Sequence, residues 1–274
     1  MTGGIYTVFD GVDEVPCRPR GLFRHQAIDP RVGDTVTFEK TEGLITAVDE
    51  RHSMLKRPPV ANVDQALILM SANPPEFSTI LLDRFLVQIA IAEIDGIIIM
   101  TKMDLLTPAQ TEVLKETMRF YERYFDVRYI SKHDEKTTDP LKSFFKDKLT
   151  VFAGQTGAGK SSLINVLSPD LNLKTGEISK ALGRGKHTTR HVELWHRFDG
   201  FIVDTPGFSK LSFENLDKEA LRDYFIEFKD VQARCKFRTC QHLNEPGCAV
   251  KVALENGDIP AHRYQSYQKI YEEL

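Results

Sequence analysis

The chain has 274 residues, enough for one large domain or for two to three small ones with cores of their own. Hydrophobic residues make up 41% and charged residues 27%, which is ordinary for a globular protein, and the net charge of −3 excludes a uniformly basic nucleic-acid-binding protein. Any contact with RNA must therefore come from local basic patches. The apolar runs are too short to span a bilayer, so we expect no contact with a membrane. The four cysteines fit a reducing compartment, which predicts a cytoplasmic protein.

Residues 1–62 are predicted to form an all-β barrel of the OB type with five strands. Short β-prone runs at Ile5–Phe9, Asp34–Glu39 and Gly43–Val48 are separated by turn-forming residues, and helical periodicity is absent. Two groups of basic residues could meet phosphates or could be an ordinary solvated surface. These groups are Arg18, Arg20, Arg24, His25 and Arg31, then Arg51, His52, Lys56 and Arg57. Phe23 is a candidate to stack on a base.

Residues 63–215 alternate strands and helices, the pattern of a parallel sheet with helical crossovers. Strands are predicted at Gln65–Met70, Gly96–Met100 and Val127–Ile130, with an amphipathic helix over Thr79–Ile94. Open α/β sheets contact ligands at the carboxyl ends of their strands, so the polar residues at those ends are candidates for a binding site.

A base-recognition segment is predicted at Thr101-Lys102-Met103-Asp104, directly after the second of these strands. The Asp104 carboxylate can accept two hydrogen bonds from guanine that adenine does not offer, and the Lys102 stem can lie along the base. The alternative for this segment is a turn before the next helix, which begins at Thr107-Pro108. Ser131 and Lys132, after the third strand, are candidates for backbone contact with the base.

A phosphate loop is predicted between a strand at Leu149–Ala153 and a helix at Lys160–Leu167. The loop has the pattern G-x-x-x-x-G-K-S, whose glycines let the backbone wrap a polyphosphate at a helix N-terminus. Lys160 would reach the β- and γ-phosphates as a catalytic residue, and Ser161 would bind Mg²⁺. A glycine-rich turn before an ordinary helix is the alternative. The nucleotide-contacting residues are Gly154, Gln155, Thr156, Gly157, Ala158, Gly159, Lys160, Ser161 and Ser162.

The order of these motifs predicts a circular permutation. The base-recognition segments precede the phosphate loop in this chain, whereas in most GTPases they follow it. Sheet geometry depends on which strands are neighbours, and termini that lie close together permit such a rearrangement. The segment Leu141–Lys148 is then predicted to be the helix that joins the original ends of the fold.

A metal-sensing loop is predicted within residues 176–196, which contain the glycine-rich, basic run G-R-G-K-H-T-T-R. Such a loop can be ordered by a γ-phosphate and Mg²⁺. Thr188 or Thr189 could supply a hydroxyl to the metal, and we favour Thr189. A plain surface segment is the alternative.

A second nucleotide-sensing motif follows a strand predicted at Phe201–Val203. Asp204 would hold Mg²⁺ through water, and the Gly207 amide would bond the γ-phosphate. Phe208 stands near the place where many GTPases have a glutamine that orients water, so we expect slow intrinsic hydrolysis. His187 is the candidate to orient the water instead, with contact to phosphate or RNA as its alternative.

Residues 216–274 are predicted to be mostly helical and to hold one structural zinc ion. The spacing C-x₄-C-x-H-x₅-C supplies three thiolates and one imidazole, a full tetrahedral set. The four ligands are Cys235, Cys240, His242 and Cys248. Reduced thiols without metal are the alternative, and Cys17 is too distant in sequence to be expected at the site. A basic rim is expected from Arg234, Lys236, Arg238, His262 and Arg263.

Together these motifs resemble the RsgA (YjeQ) family of circularly permuted GTPases of bacterial ribosome assembly. The resemblance runs over nearly the whole chain and includes R-P-P-V-A-N-V-D-Q at 57–65 and L-D-R-F-L at 82–86. It implies an OB barrel, a permuted GTPase core that binds GTP or GDP with Mg²⁺, and a zinc-binding helical domain. Thr101 stands where many GTPases have asparagine.

The resemblance also implies the small ribosomal subunit and its rRNA as partners. Family members bind that subunit late in its maturation, hydrolyse GTP when bound to it, and are inhibited by guanosine polyphosphate alarmones. Other assembly factors are further expected partners, and the chain is expected to be a monomer. Two other functions stay open: an RNA-binding module with nucleotide as a structural or regulatory ligand only, and a phosphohydrolase or kinase acting alone on a small substrate.

Overall fold

The protein is described by a computed structural model, which covers residues 4–56, 59–173, 193–204, 213 and 216–274. The side chains of Arg24, Lys56, Glu193 and Asp204 lie outside this description. The described residues form an N-terminal β unit, a central α/β unit and a C-terminal helical unit, and each has hydrophobic residues buried inside it. No helix in these ranges is both long enough and apolar enough to cross a bilayer.

The N-terminal unit is a four-stranded sheet, half of a barrel, rather than the five strands expected. Its strands are β1 (Tyr6–Phe9), β2 (Glu14–Pro19), β3 (Val36–Glu39) and β4 (Leu44–Val48), in the order β1-β2-β4-β3. Strand β2 pairs antiparallel with β1 and parallel with β4. The sequence does not predict β2, because Pro16 and Pro19 cannot donate to a ladder and proline is rare in central strands.

The core of this unit uses a residue that was expected on its surface. A 3₁₀ helix at Gly21–Arg24 covers the sheet, and Phe23 within it is 4% exposed and belongs to one cluster with Cys17 and Ile45. The prediction that Phe23 stacks on a base is therefore wrong, because its ring fills the core. The chain then forms a separate antiparallel pair, β5 (Met54–Lys56) and β6 (Pro59–Ala61).

The central unit is a six-stranded sheet covered on both faces. Its strands are β7 (Gln65–Ser71), β8 (Asp95–Thr101), β9 (Asp126–Tyr129), β10 (Leu149–Gly154), β11 (Glu193–Arg197) and β12 (Gly200–Asp204), in the order β11-β12-β10-β7-β8-β9. All neighbours are parallel except β11, which is antiparallel to β12. Side chains alternate between faces, so Ile68 and Met70 join one core while Leu67 and Leu69 join the other.

The helices of this unit lie on the two faces of the sheet and follow the predicted pattern closely. They are α1 (Thr79–Ile91), α2 (Pro108–Met118), α3 (Glu135–Thr138) and α4 (Lys160–Leu167), with 3₁₀ helices at Met103–Leu105, Tyr121–Arg123, Asp139–Phe145 and Pro169–Leu171. Helix α2 begins at Thr107 through a capping box: the Thr107 hydroxyl accepts from the Gln110 amide, and the Gln110 side chain accepts from the Thr107 amide.

Two connections differ from the sequence expectations. The predicted joining helix at Leu141–Lys148 is instead a 3₁₀ helix at Asp139–Phe145, which has Pro140 as its second residue and is separated from β10 by three residues. The predicted loop over residues 176–196 ends earlier than expected, because β11 occupies Glu193–Arg197 and pairs with β12. Residues 176–192 of that loop lie outside the described ranges.

The C-terminal unit is helical, as predicted. It contains α5 (Ile226–Lys229), α6 (Ala249–Glu255) and α7 (Ala261–Glu273), with 3₁₀ helices at Lys218–Tyr224 and Gln232–Arg234. Its core is aromatic: Phe225, Phe228 and Tyr267 are buried and their rings contact one another at centroid distances of 5.0–5.3 Å. Val87 of α1 belongs to the same cluster, so this core continues onto the α/β unit.

A buried ionic cluster fastens the C-terminal unit to α1. Arg263 of α7 donates to both oxygens of Glu227, at 2.7 and 2.8 Å, and to the carboxylate of Asp83 in α1. The Tyr121 hydroxyl donates to the same Asp83 oxygen at 2.7 Å. Burial alone would lower the pKa of Arg263, but the two carboxylates raise that pKa well above its ordinary value. The guanidinium is therefore charged and bridges two units of the fold.

This cluster corrects part of the expected basic rim. Arg263 is 1% exposed, so it cannot contact a partner, and His262 beside it stacks on Tyr121 with ring centroids 5.9 Å apart. Sequence alone did not reveal this because the partners of Arg263 lie 36 and 180 residues away. Arg234, Lys236 and Arg238 are exposed as expected.

We predict that Arg263→Met lowers the free energy of unfolding by about 3–5 kcal/mol, because two buried carboxylates lose their shared cation. Urea titration followed by circular dichroism measures the change. The matched control is Arg84→Met, which removes the same group from a partly exposed pair with Glu273 and should cost about 1 kcal/mol or less. Equal losses in the two variants would contradict the role given to the buried cluster.

Candidate nucleotide site and metal centre

The predicted nucleotide-binding segments meet at one edge of the central sheet. Strand β10 lies between β12 and β7, with Val151 opposite Val203 and Gly154 opposite Leu69. The next strand, β8, brings Thr101 opposite Ser71 at the same edge. Parallel strands end on one side of a sheet, so segments far apart in sequence converge there, as the permuted order requires.

The phosphate loop has the backbone that its glycines predict. Gly154, Gly157 and Gly159 have φ angles of +133°, +81° and +93°, a region that favours glycine. At Gly154 a Cβ atom would lie 2.1 Å from the Leu69 carbonyl oxygen, so a side chain is excluded on steric grounds as well. The loop leads directly into α4, whose first residue is Lys160. The N-terminal amides of this helix provide a site for an anion.

Thr101 fastens the base-recognition segment to the phosphate loop. Its side chain is 5% exposed, and its hydroxyl donates to the carbonyl of Ala158 at 2.7 Å and lies 3.3 Å from that of Met70. The hydroxyl therefore links the ends of β8 and β7 to the loop after β10. The structure places Thr101 in contact with the loop that would hold the phosphates, and its contact with the nucleotide stays a prediction.

Lys102 makes a second link to the same loop. It has a left-handed φ of +60°, and its ammonium group donates to the Gly157 carbonyl at 2.7 Å and to the Pro74 carbonyl. Burial lowers the pKa of Lys102, and the neighbouring Lys132 adds to the effect. The lysine stem thus lies between the phosphate loop and the loop that contains Pro74, where the base is expected.

A third loop at the site was not assigned a function from the sequence. This loop, residues 72–77, follows β7 and contacts the phosphate loop at two points. Pro75 lies beside Gly157, and the Glu76 carbonyl accepts a hydrogen bond from the Gln155 side chain at 3.1 Å. A signal was present in the sequence, because any polar loop after a buried parallel strand lies at the ligand edge. The loop forms one wall of the candidate site.

The other base-recognition residues lie together nearby. Asp104 is exposed in the 3₁₀ helix Met103–Leu105, and the Met103 amide donates to the Ile130 carbonyl at 3.2 Å, which joins this segment to the end of β9. Ser131 is buried and its amide donates to the Thr137 hydroxyl at 3.1 Å, while Lys132 is exposed. Their contacts with guanine stay predictions.

Several predicted residues fall outside the described part of the chain. His187, Thr188, Thr189, Gly207 and Phe208 are among them. The backbone of Asp204 ends β12 at the ligand edge, but its side chain is not described. The roles assigned to these residues in Mg²⁺ binding and hydrolysis stay predictions.

We predict that Thr101→Val weakens nucleotide binding about 5- to 10-fold, because the buried Ala158 carbonyl loses its hydrogen bond at a cost of about 1 kcal/mol. The variant keeps the size of the side chain. Thr101→Ser keeps the hydroxyl and should bind almost as tightly as the unchanged protein. Titration with a fluorescent guanine nucleotide measures both. If the serine variant binds worse than the valine variant, the hydroxyl is not the group that matters.

The four predicted metal ligands come together in the C-terminal unit. One ligand atom from each of Cys235, Cys240, His242 and Cys248 lies within 4.8 Å of the others. His242 Nδ1 is 3.4 Å from Cys248 Sγ and 3.7 Å from Cys235 Sγ. Ligand atoms around one tetrahedral Zn²⁺, at Zn–S distances of ~2.3 Å, are separated by roughly 3.5–3.8 Å. The donor set and its spacing therefore fit a zinc ion.

The protonation of His242 suits the same conclusion, whereas the buried thiols need a cation before they can bind as thiolates. Burial lowers the pKa of His242 to about 4, so the imidazole is neutral, which is the form that binds metals. Burial, with the neighbouring Cys248, raises the pKa of the Cys240 thiol to about 12. A divalent cation would supply the charge that holds buried thiolates.

Neighbouring residues hold His242 in place for this role. The Glu245 carboxylate accepts from the amides of Gln241 and Leu243, on either side of the histidine, at 2.8 and 2.9 Å. The Tyr264 hydroxyl donates to the His242 carbonyl at 2.5 Å. His242 has a left-handed φ of +59°, which this surrounding set of hydrogen bonds supports. No sequence motif pointed to these roles of Glu245 and Tyr264.

We predict that Cys240→Ala lowers bound zinc from about one equivalent per chain to nearly none, because a structural site needs all four ligands. Elemental analysis of the purified protein measures the metal. Cys17→Ala is the matched control, since Cys17 is buried in the N-terminal unit and should leave the zinc content unchanged. Equal zinc in both variants would contradict the assigned ligand set.

Comparison with known families agrees with the fold. Residues 48–214, more than half of the chain, match the family model of the RsgA GTPase, and residues 1–45 match that of the RsgA N-terminal domain. A protein of Oceanobacillus iheyensis named small ribosomal subunit biogenesis GTPase RsgA 2 is 49% identical over 275 residues, covering 99% of this chain and 94% of that protein. The Bacillus subtilis small ribosomal subunit biogenesis GTPase RsgA is 46% identical over 283 residues, covering 99% and 94%.

Two solved structures resemble the whole chain. YloQ, described as a circularly permuted GTPase, superimposes with a TM-score of 0.85 at 40% identity and covers 100% of this chain and 92% of its own. YjeQ from Thermotoga maritima gives a TM-score of 0.86 at 34% identity, covering 98% and 93%. The permutation predicted from the motif order is confirmed by this likeness. The chain therefore belongs to the RsgA GTPase family, as its motifs predicted.

Proposed function

We propose that this protein is a GTPase that binds the small ribosomal subunit, assists its late maturation, and hydrolyses GTP when the subunit stimulates it. One observation carries the proposal: Thr101 and Lys102 connect the base-recognition segment to the phosphate loop through the carbonyls of Ala158 and Gly157. A guanine nucleotide could span these two segments. The names of the relatives, which are GTPases of small-subunit biogenesis, support the choice of partner.

The roles proposed within the nucleotide site follow from its chemistry. Lys160 would contact the β- and γ-phosphates at the start of α4, and Asp104 would accept hydrogen bonds from guanine. Ser161, Thr189 and Asp204 would hold Mg²⁺, which supplies positive charge to the phosphates. His187 is the proposed water-orienting residue, since Phe208 cannot accept or donate a hydrogen bond.

Exposed basic residues of the N-terminal unit support a contact with rRNA. Arg18 and Arg20 are exposed on and just after β2, and neither pairs with a carboxylate among the described residues. Arg51 is different: it donates to both oxygens of Asp34, at 2.7 and 2.8 Å, and to the Asp29 carbonyl. Arg18 and Arg20 therefore offer free charge for phosphates, whereas Arg31 of the same group is paired with Asp29 and Arg51 of the second group holds a turn together.

Further partners and the compartment are part of the same proposal. Alarmone nucleotides would compete with GTP because they carry the same guanine base and a pyrophosphate for the same loop. The protein would act as a monomer in the cytoplasm, beside other assembly factors. These points rest on the family and on the proposed ribosomal partner.

We predict that small ribosomal subunits stimulate hydrolysis of GTP and leave hydrolysis of ATP unchanged. Rates for the purified protein, with and without subunits at matched salt, measure this. Lys160→Ala should abolish the stimulated reaction. Equal rates with and without subunits would contradict the ribosomal part of the proposal. Subunit binding by Lys160→Ala that ignores nucleotide would favour the alternative of an RNA-binding module with nucleotide as a structural ligand only.

Asp104→Asn tests base recognition separately from folding. The amide can donate to the 2-carbonyl of xanthine but clashes electrostatically with the 2-amino group of guanine. We therefore expect the variant to bind guanosine nucleotides at least 10-fold more weakly and xanthosine nucleotides more tightly than the unchanged protein. Loss of binding to both bases would instead indicate a damaged site, and unchanged affinity for guanosine nucleotides would rule Asp104 out.

A further inference from the structure

An exposed aromatic ring lies among basic side chains beside the metal centre. We call residues 234–239 the knuckle loop; it includes the metal ligand Cys235, ends just before the ligand Cys240, and contains Arg234, Lys236, Phe237 and Arg238. Phe237 is 43% exposed, although Phe225 and Phe228 of the same unit are fully buried. The ring is therefore not needed to fill the core, and its exposure calls for another explanation.

The charges around Phe237 are available to a partner. Arg234, Lys236 and Arg238 are all exposed, and none forms an ion pair with a carboxylate in the part of the chain that the structure covers. The residues between 232 and 240 include no acidic side chain. The Lys236 ammonium lies 5.5 Å from the centroid of the Phe237 ring, so a cation and an aromatic surface are presented together.

The knuckle loop is held in one shape by the rest of the unit. The Lys236 amide donates to the Gly247 carbonyl at 3.0 Å, and the Cys240 amide donates to the Phe237 carbonyl at 3.2 Å. The guanidinium of Arg222 donates to the carbonyls of Arg238 and Cys240 at 3.0 and 2.8 Å. A ring on such a fixed loop loses little conformational freedom when it binds.

We propose that the knuckle loop binds a single-stranded stretch of RNA, with Phe237 stacked on an unpaired base and the three basic side chains on the flanking phosphates. Proteins that hold single strands combine aromatic platforms with positive charge in this way. Binding of an acidic peptide would explain the three basic side chains but not the exposed ring of Phe237. The proposal rests on the proposed ribosomal function and names one RNA-contacting surface within it.

The first experiment measures affinity for small ribosomal subunits. Phe237→Ala should bind about 10-fold more weakly, as expected for losing one base–aromatic stack. Phe237→Leu keeps an apolar side chain and should be nearly as weak, whereas Phe237→Trp should bind at least as well as the unchanged protein. Val113→Ala, a change at a side chain that is 70% exposed on α2, is the control and should have no effect. Hydrolysis of GTP without subunits should be the same in all four variants.

The second experiment reports stacking directly. The chain has one tryptophan, Trp195, so a Trp195→Phe, Phe237→Trp variant has its single tryptophan on the knuckle loop, where its fluorescence can be excited selectively over that of the tyrosines. A short single-stranded RNA should quench its fluorescence, and an RNA duplex of the same length should quench it far less. Absence of quenching by single-stranded RNA would overturn the stacking proposal and leave a protein partner for this surface.

The two experiments separate this inference from the proposed function. If the unchanged protein neither binds subunits nor is stimulated by them, the ribosomal function itself is wrong. If the unchanged protein is stimulated but Phe237→Ala and Phe237→Leu bind subunits with full affinity, only the role of the knuckle loop is wrong.

Discussion

The placement of the C-terminal unit depends on one buried guanidinium. Arg263 lies between a carboxylate of its own unit, Glu227, and a carboxylate of helix α1, Asp83. Helix α1 is apolar on most of its surface because it packs against the central sheet on one side and contributes Val87 to the C-terminal core on another. An ion cluster in such surroundings adds little net stability, but it tolerates few alternative arrangements. It therefore fixes the position of the metal centre relative to the sheet that carries the nucleotide site.

The nucleotide site shows how a permuted chain keeps the geometry of a conventional one. Its parts come from the ends of neighbouring strands, so what matters is that β10 lies between β12 and β7, whatever the order of synthesis. Thr101 is an example at a single position. It stands where many GTPases have asparagine, and its hydroxyl donates a hydrogen bond to the Ala158 carbonyl. Lys102 holds the same segment to the phosphate loop through the Gly157 carbonyl.

The sequence predicted those features that depend on local pattern. Helix α4 has the predicted bounds, and the buried strands β7, β8 and β10 were found within one residue at each end, since their patterns lie in short stretches of the chain. Features that depend on distant partners were missed. Phe23 and Arg263 look like surface groups until the fold buries them, and β2 was hidden by prolines that its neighbours tolerate. The metal ligands were predictable because all four lie within a short window.

The strand order has a consequence for the protein while it is being made. Strands β7, β8 and β9 precede β10 in the chain, yet β10 pairs with the inner edge of β7. As the chain leaves the ribosome, the edge of β7 that later pairs with β10 stays unpaired until about 80 further residues have been added, which at typical synthesis rates takes on the order of 4–16 seconds. Such an edge can pair with the wrong chain. The N-terminal unit and the antiparallel pair β5–β6 emerge before this edge, so they are already present to shield it when the interval begins.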